Sequence, residues 1–195
     1  MTPERTQKLQ QVLSKRQADV TLVLENVHDP HNISAVMRTC ESVGIQDIFV
    51  LNTKIPTHKK FGERSSSSAA KWVTIHQYDN AEDCFAELHK RNFRIYTTWL
   101  GEGSLDLYAM DFSQPIAIVF GNEKTGVSDE IRALADGNMV IPQVGIIQSL
   151  NISVACAVTV YEAFRQKRLA GHYDKKRLSD QHHADLWELW SENRD

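Results

Sequence analysis

Apolar residues fall along this chain in two alternating rhythms, short unbroken runs and longer stretches at helical spacing. Runs at 20–25, 46–51, 72–77, 93–100, 115–120 and 139–142 read as strands. Between them come helical patterns with start and stop signals. Thr2 can cap and Pro3 open a first helix that carries Leu9, Val12 and Leu13 on one face. A second helix is expected over 32–43, stopped by Gly44, a third after the cap Asn80, and a short fourth after the cap Ser128. A long helix follows over 151–169, with Val154, Val158 and Tyr161 as its core face and Ala155 and Ala157 allowing close packing. Ser179 can cap a last helix bearing Leu186, Trp187, Leu189 and Trp190. Strands that alternate with helices throughout imply an α/β fold: a mostly parallel sheet covered by helices on both faces.

With 195 residues, 42% of them hydrophobic, the chain suits one globular domain with short extensions. The expected division is a helical extension over 1–18, a central domain over 19–170 and a second helical extension over 171–195. No stretch approaches the roughly 20 apolar residues that span a bilayer, and the polar first residues do not read as a secretory signal. Cys40, Cys84 and Cys156, scattered and odd in number, read as buried thiols in a reducing, cytoplasmic setting, where the Asn32 and Asn151 sequons stay unglycosylated. The net charge of −3 hides an asymmetry. Segments 1–16, 54–71 and 165–177 hold 15 of the 22 Lys and Arg but only three acids, Glu4, Glu63 and Asp174, so they carry +12 against −15 elsewhere. If they meet on one face they form a footprint for a polyanion; otherwise they are ordinary solvated surface. The polar stretch 52–71, with serines at 65–68, is a long loop of the functional or mobile kind.

Three polar clusters stand where parallel strands end, the edge at which open α/β sheets bind ligands. They are Asn32 with Arg38, the run 121–126, and Gln148, Ser149, Leu150 and Asn151. The glycines of GNEKTGVS have phosphate-loop spacing, but Val127 stands where that loop needs lysine, so nucleotide hydrolysis is poorly supported. Gly101-Glu102-Gly103 begins like a dinucleotide fingerprint, yet Asp106 occupies the place of the third glycine. His28, His31, His182 and His183 lack partners at metal-ligand spacing, so no metal is expected. In IPQVGIIQSLNISVACA, apolar Ile146 and Ile147 sit in a loop between Gly145 and polar residues, a composition able to hold an adenine and a methionine-like tail.

Asn32 with Arg38, then IVFGNEKTGVS, then IPQVGIIQSLNISVACAV, closely resemble the three motifs of the SpoU (TrmH) 2′-O-ribose methyltransferases, within the knotted SPOUT superfamily. The resemblance runs from about residue 21 to 168. It implies a deep C-terminal trefoil knot, against the general rule that chains do not thread. It implies S-adenosyl-L-methionine as cofactor, bound by loops that include Gly121, Ile141 and Leu150, with Thr98 matching the family's cofactor-side threonine better than Thr97. Arg38 matches the catalytic arginine. A guanidinium stays protonated, so oxyanion stabilisation suits it better than general base, with a phosphate or water taking the proton. Asn32 fits a role in fixing Arg38 or the ribose, or plain helix capping, and Glu123, Ser149 and Asn151 match positions near the methyl. The resemblance further implies a homodimer in which Arg38 of one subunit faces the cofactor of the other. The basic extensions resemble the branch that methylates guanosine 18 in the D-loop of tRNA. Ribosomal RNA, the tRNA wobble ribose, and a non-catalytic RNA-binding module are the alternatives.

Overall fold

A computed structural model describes residues 1–58, 61, 69–147 and 149–192. Among them lie seven strands: β1 (Val20–Glu25), β2 (Asp47–Leu51), β3 (Thr74–Tyr78), β4 (Arg94–Thr98), β5 (Leu105–Asp106), β6 (Ile116–Phe120) and β7 (Gly137–Val140). They form one sheet in the order β3-β2-β1-β6-β4-β7-β5, with every pairing parallel. In β1, Leu22 pairs with Ile48 on one side and Ile118 on the other. The helices are α1 (Pro3–Leu13), α2 (Pro30–Ser42), α3 (Ala81–Lys90), α4 (Asp129–Leu134), α5 (Ile152–Leu169) and α6 (Asp180–Glu192). The central strands β1, β2 and β6 are buried at every position and chiefly apolar, with Thr21, Glu25 and Asp47 as their polar members, because successive side chains enter two different cores. Leu22, Ile48 and Ile118 join the core beneath α2 and α5, while Val23, Phe49 and Val119 join the one that includes Phe85 of α3 and Ile131 of α4.

Capping residues do the work expected of them at four helices. Thr2 accepts from Arg5 N, Asn80 from Asp83 N, Ser128 from Ile131 N, and Ser179 Oγ from His182 N. Gly44 has φ +83°, and a Cβ there would lie 2.8 Å from Lys15 O.

Elsewhere the structure differs from the sequence reading. α2 starts at Pro30 with Asp29 as cap, so Asn32 is an early helical residue free for other bonds. Residues 72–73 lie outside β3, and Trp72 instead packs edge-on against Trp190 at 5.4 Å. The two-residue β5 extends the sheet where no strand was expected. The core face of α5 is Ile152, Cys156, Val160 and Ala163; Val154 and Tyr161 are about half exposed. The serines at 65–68, together with Lys59, Lys60 and Arg64, lie outside the described residues.

Among the described residues, several cations of the basic segments are buried or paired. Arg16 is fully buried, 3.2 Å from Glu41 Oε1 and 4.9 Å above the Trp190 ring. Lys167, also fully buried, sits 2.9 Å from Asp19 Oδ1, and Arg177 donates to Asp19 Oδ2 at 2.7 Å. Arg165 pairs with Glu162, Lys176 with Asp180, and Lys15 donates to Tyr173 O. Of these, Lys167 and Arg177 tie the C-terminal part of the chain to Asp19, next to β1.

Asp19 is the hub of that tie. Burial alone would raise its carboxyl, but Lys167 and Arg177 more than answer this and hold it below the usual carboxylate range. Asp19→Asn leaves the Lys167 ammonium buried without a counter-charge, a change that costs about 3–5 kcal/mol. For a chain of this size the expected fall in Tm is roughly 6–20 °C. The wild-type contribution is present above the unfolded value of 3.8 and is lost as pH falls through the lower folded value. Melting curves between neutral and acid pH therefore show a shallower acid decline in Asp19→Asn than in wild type; parallel declines would rule this role out.

Candidate active site

A cavity of about 300 Å³ opens at the C-terminal ends of β4, β6 and β7. Thr98, Trp99 and Leu100 enter it from the end of β4, Phe120 from β6, and Val140 and Ile141 from β7. The following loop adds Ile147, Ser149 and Leu150, and α5 adds Ala155. The wall is therefore chiefly apolar, with the Thr98 and Ser149 hydroxyls and Gln143 as side-chain polar groups. Thr98 Oγ1 donates to Val119 O at 3.0 Å. Thr97, on the opposite face of β4, is buried and donates to Asn138 Oδ1, so of the two threonines it is Thr98 that lines the cavity. In the same loop Val144 and Ile146 are fully exposed; Gln148 lies outside the described residues.

The segment after β6 folds closely on itself. Gly126 N donates to Asn122 O at 2.8 Å, and a Cβ on Gly121 would lie 2.1 Å from Gly126 C and 2.2 Å from Val127 N. Asn122, itself buried, accepts from Lys124 N and donates to Asn26 O, each at 2.8 Å. Glu25 Oε2 accepts from Ser128 N at 3.0 Å. Loop 121–127 is thereby fixed to the end of β1.

Three residues expected at the site come together through Asn32. Its Nδ2 donates to Glu123 Oε1 at 2.7 Å, and its Oδ1 accepts from Asn151 Nδ2 at 3.4 Å. Asn151 also caps α5 through Ser153 N. Residues 119 positions apart thus meet in one polar cluster that draws on α2, loop 121–127 and the start of α5. Ser149 is placed on the cavity wall, and Arg38 is exposed on α2.

Sequence reasoning overlooked Trp99 and its supports. The Trp99 ring carries the Arg132 guanidinium 3.7 Å from its centroid, and Asn138 Nδ2 donates to Trp99 O and to Ser104 Oγ. The available signal was the tryptophan beside two glycines: a Cβ on Gly101 would lie 2.7 Å from Trp99 Nε1. Nucleophilic thiol chemistry has no support, since burial raises the thiols of all three cysteines, that of Cys84 to about 12. Among the described residues no group of three or more His, Cys, Asp or Glu could hold a metal ion.

The sequence pattern of the SpoU rRNA Methylase family matches residues 19–161, a span that contains the cavity and the Asn32 cluster. The chain belongs to the SpoU methylases. Among related SpoU methylases, the tRNA (guanosine(18)-2′-O)-methyltransferase of Thermus thermophilus is 42% identical over 191 residues, covering 97% of this chain and 96% of that one. The enzyme of the same name from Escherichia coli K12 is 37% identical, over 89% of this chain and 75% of its own. The crystal structure of the Aquifex aeolicus TrmH/SpoU tRNA modifying enzyme superposes with a TM-score of 0.89 at 35% identity, covering 98% of both chains. The SpoU methyltransferase AviRb of Streptomyces viridochromogenes, crystallised with AdoMet, gives a TM-score of 0.72 at 25% identity over 80% of this chain and 63% of that one.

Proposed function

We propose that this SpoU methylase transfers a methyl group from S-adenosylmethionine to the ribose 2′-hydroxyl of guanosine 18 in tRNA, working as a homodimer. The observation that carries this reading is the near full-length likeness to guanosine-18 methyltransferases, which includes α1 and α6 as well as the central domain. The boundaries that go with it are 1–18 and 171–195 for the extensions and 19–170 for the knotted catalytic domain.

The site fits the cofactor. An apolar wall formed by Phe120, Ile141 and Leu150 suits an adenine, and the hydroxyls of Thr98 and Ser149 offer polar contacts. Gly121 acts by letting the backbone of 126–127 close against it. When bound, S-adenosylmethionine supplies a methyl on a sulfonium, a good leaving group that needs no metal. The protein must then align the ribose oxygen, exclude water and stabilise the developing oxyanion. Asn32, held between Glu123 and Asn151, orients the acceptor. Arg38 supplies its guanidinium to the oxyanion.

Two observations support the dimer. α5 exposes Val154, Tyr161 and Leu169 along its length, an apolar stripe of the kind buried between subunits. Arg38 follows Asn32 by six residues, about 9 Å along α2 and about 120° around it, which turns it away from its own Asn32 cluster, as a role at a partner's site would require.

In the test, wild-type protein, S-adenosylmethionine and a tRNA transcript yield one methyl per tRNA without added metal. A transcript with 2′-deoxyguanosine at position 18 yields none. Equal transfer to the deoxy transcript would move the target elsewhere. Calorimetry with S-adenosylhomocysteine should show binding with which ATP does not compete; competition by ATP would restore the phosphate-loop interpretation of 121–126.

A further inference from the structure

A second cavity, of about 250 Å³, shares no wall with the first but is built on the same segment. Phe120 faces the cofactor cavity, whereas Asn122, Lys124, Thr125 and Gly126 line the second one. Lys54 and His28 complete its polar rim, from the loops that follow β2 and β1. Lys54 and Lys124 are exposed, come from separate loops, and have no ion-pair partner among the described residues. Glu123, the acid next to Lys124, is engaged by Asn32. The one acid in the wall is Glu25, 1% exposed, whose Oε2 accepts from Ser128 N at 3.0 Å and whose Oε1 lies 3.5 Å from Asn26 Nδ2. The floor is therefore a carboxylate already occupied by donors, and the mouth holds two cations and an imidazole with no ion-pair partner among the described residues.

We propose that this cavity is a subsite for a backbone phosphate of the substrate RNA, held by Lys54 and Lys124 next to the nucleotide being methylated. The inference rests on the RNA-methylation reading above and adds to it a specific contact. Two ammonium groups on flexible stems can approach a tetrahedral phosphate from different sides, with the Thr125 hydroxyl and the His28 imidazole as further donors. Asn122 fixes the wall by accepting from Lys124 N and donating to Asn26 O, so the position of Lys124 is set before RNA arrives. Glu123 lies one residue from Lys124 and in the Asn32–Asn151 cluster, which puts the bound phosphate beside the ribose that the cluster orients.

The test uses the full-length Lys54→Gln/Lys124→Gln double variant with whole tRNA. Loss of two phosphate contacts raises KM for tRNA about tenfold and lowers the salt slope of log K by about 1.4–1.8. The kcat stays within about twofold, and S-adenosylhomocysteine affinity is unchanged, which also reports an intact fold. Lys54→Arg/Lys124→Arg keeps the charge and restores KM. Wild-type KM and salt slope in the Gln variant would overturn the subsite, as would a loss of kcat at unchanged KM or a loss of S-adenosylhomocysteine binding. Failure of the wild-type protein to methylate tRNA would instead strike the reading on which the subsite rests.

Discussion

Gly121→Ala lowers Tm by roughly 6–12 °C and abolishes measurable S-adenosylhomocysteine binding. The added methyl would stand 2.1 Å from Gly126 C, 2.2 Å from Val127 N and 2.3 Å from Gly126 O, all of them backbone atoms. A flexible side chain could swing aside, but this backbone is held at both ends. Gly126 N is bonded to Asn122 O, the Val127 side chain is buried in the core, and Ser128 N is bonded to Glu25. Relief therefore means moving the start of α4 or the end of β6, and Phe120 at that end lines the cofactor cavity. Overpacking commonly costs about 1–3 kcal/mol, and the upper end applies where no side chain can yield. Gly145→Ala is the stability control, because a Cβ there meets nothing within 4 Å. A Gly121→Ala protein with wild-type Tm and affinity would mean that the segment relaxes freely and is no part of the cofactor site.

Most of the frame was legible because the physics that forms it is local. Unbroken apolar runs betrayed strands buried on both faces, and Thr2, Asn80 and Ser128 are caps whose side chains act within three residues. The errors came where tertiary contacts decide. α5 is apolar on two sides, so Val154 and Tyr161 formed as good a helical stripe as Ile152, Cys156 and Val160. Nothing in the sequence says which stripe meets the sheet. Charge counting misjudged two residues for the same reason: Arg16 and Lys167 look like surface cations until Glu41 and Asp19 are found opposite them. At α2 a local signal was present and passed over, since Pro30 favours the first helical position and makes Asp29 the cap. That one shift frees the Asn32 side chain to bridge Glu123 and Asn151.

The site shows the same division. Motif resemblance singled out Asn32, Glu123 and Asn151 separately, and only the fold brings them within hydrogen-bonding distance. Trp99 belongs to no motif. Its ring carries the guanidinium of Arg132, which lies 33 positions later in the chain, so only the fold brings the two together.

Arg38→Ala lowers kcat by at least about 10²–10³, the scale expected when a single oxyanion-stabilising group is lost. Arg38 is exposed, and its side chain makes no ion pair or hydrogen bond among the described residues, so stability should change by no more than about 0.5 kcal/mol. S-adenosylhomocysteine affinity should also hold, because Arg38 is absent from the cavity wall. Equal loss of cofactor binding and turnover would contradict this assignment. Subunit mixing then decides which cleft Arg38 serves. Leu150 lines the cavity, so Leu150→Arg disables the cofactor site while leaving Arg38 in place. In a heterodimer of the two variants, the intact cavity belongs to the subunit that lacks Arg38. If Arg38 acts across the interface, that cavity receives the arginine of its partner, and random exchange between the two inactive proteins restores about a quarter of wild-type activity. If Arg38 acts on its own cleft, each site in the heterodimer lacks one component and mixing restores nothing. The 120° separation of Arg38 from Asn32 around α2 favours recovery.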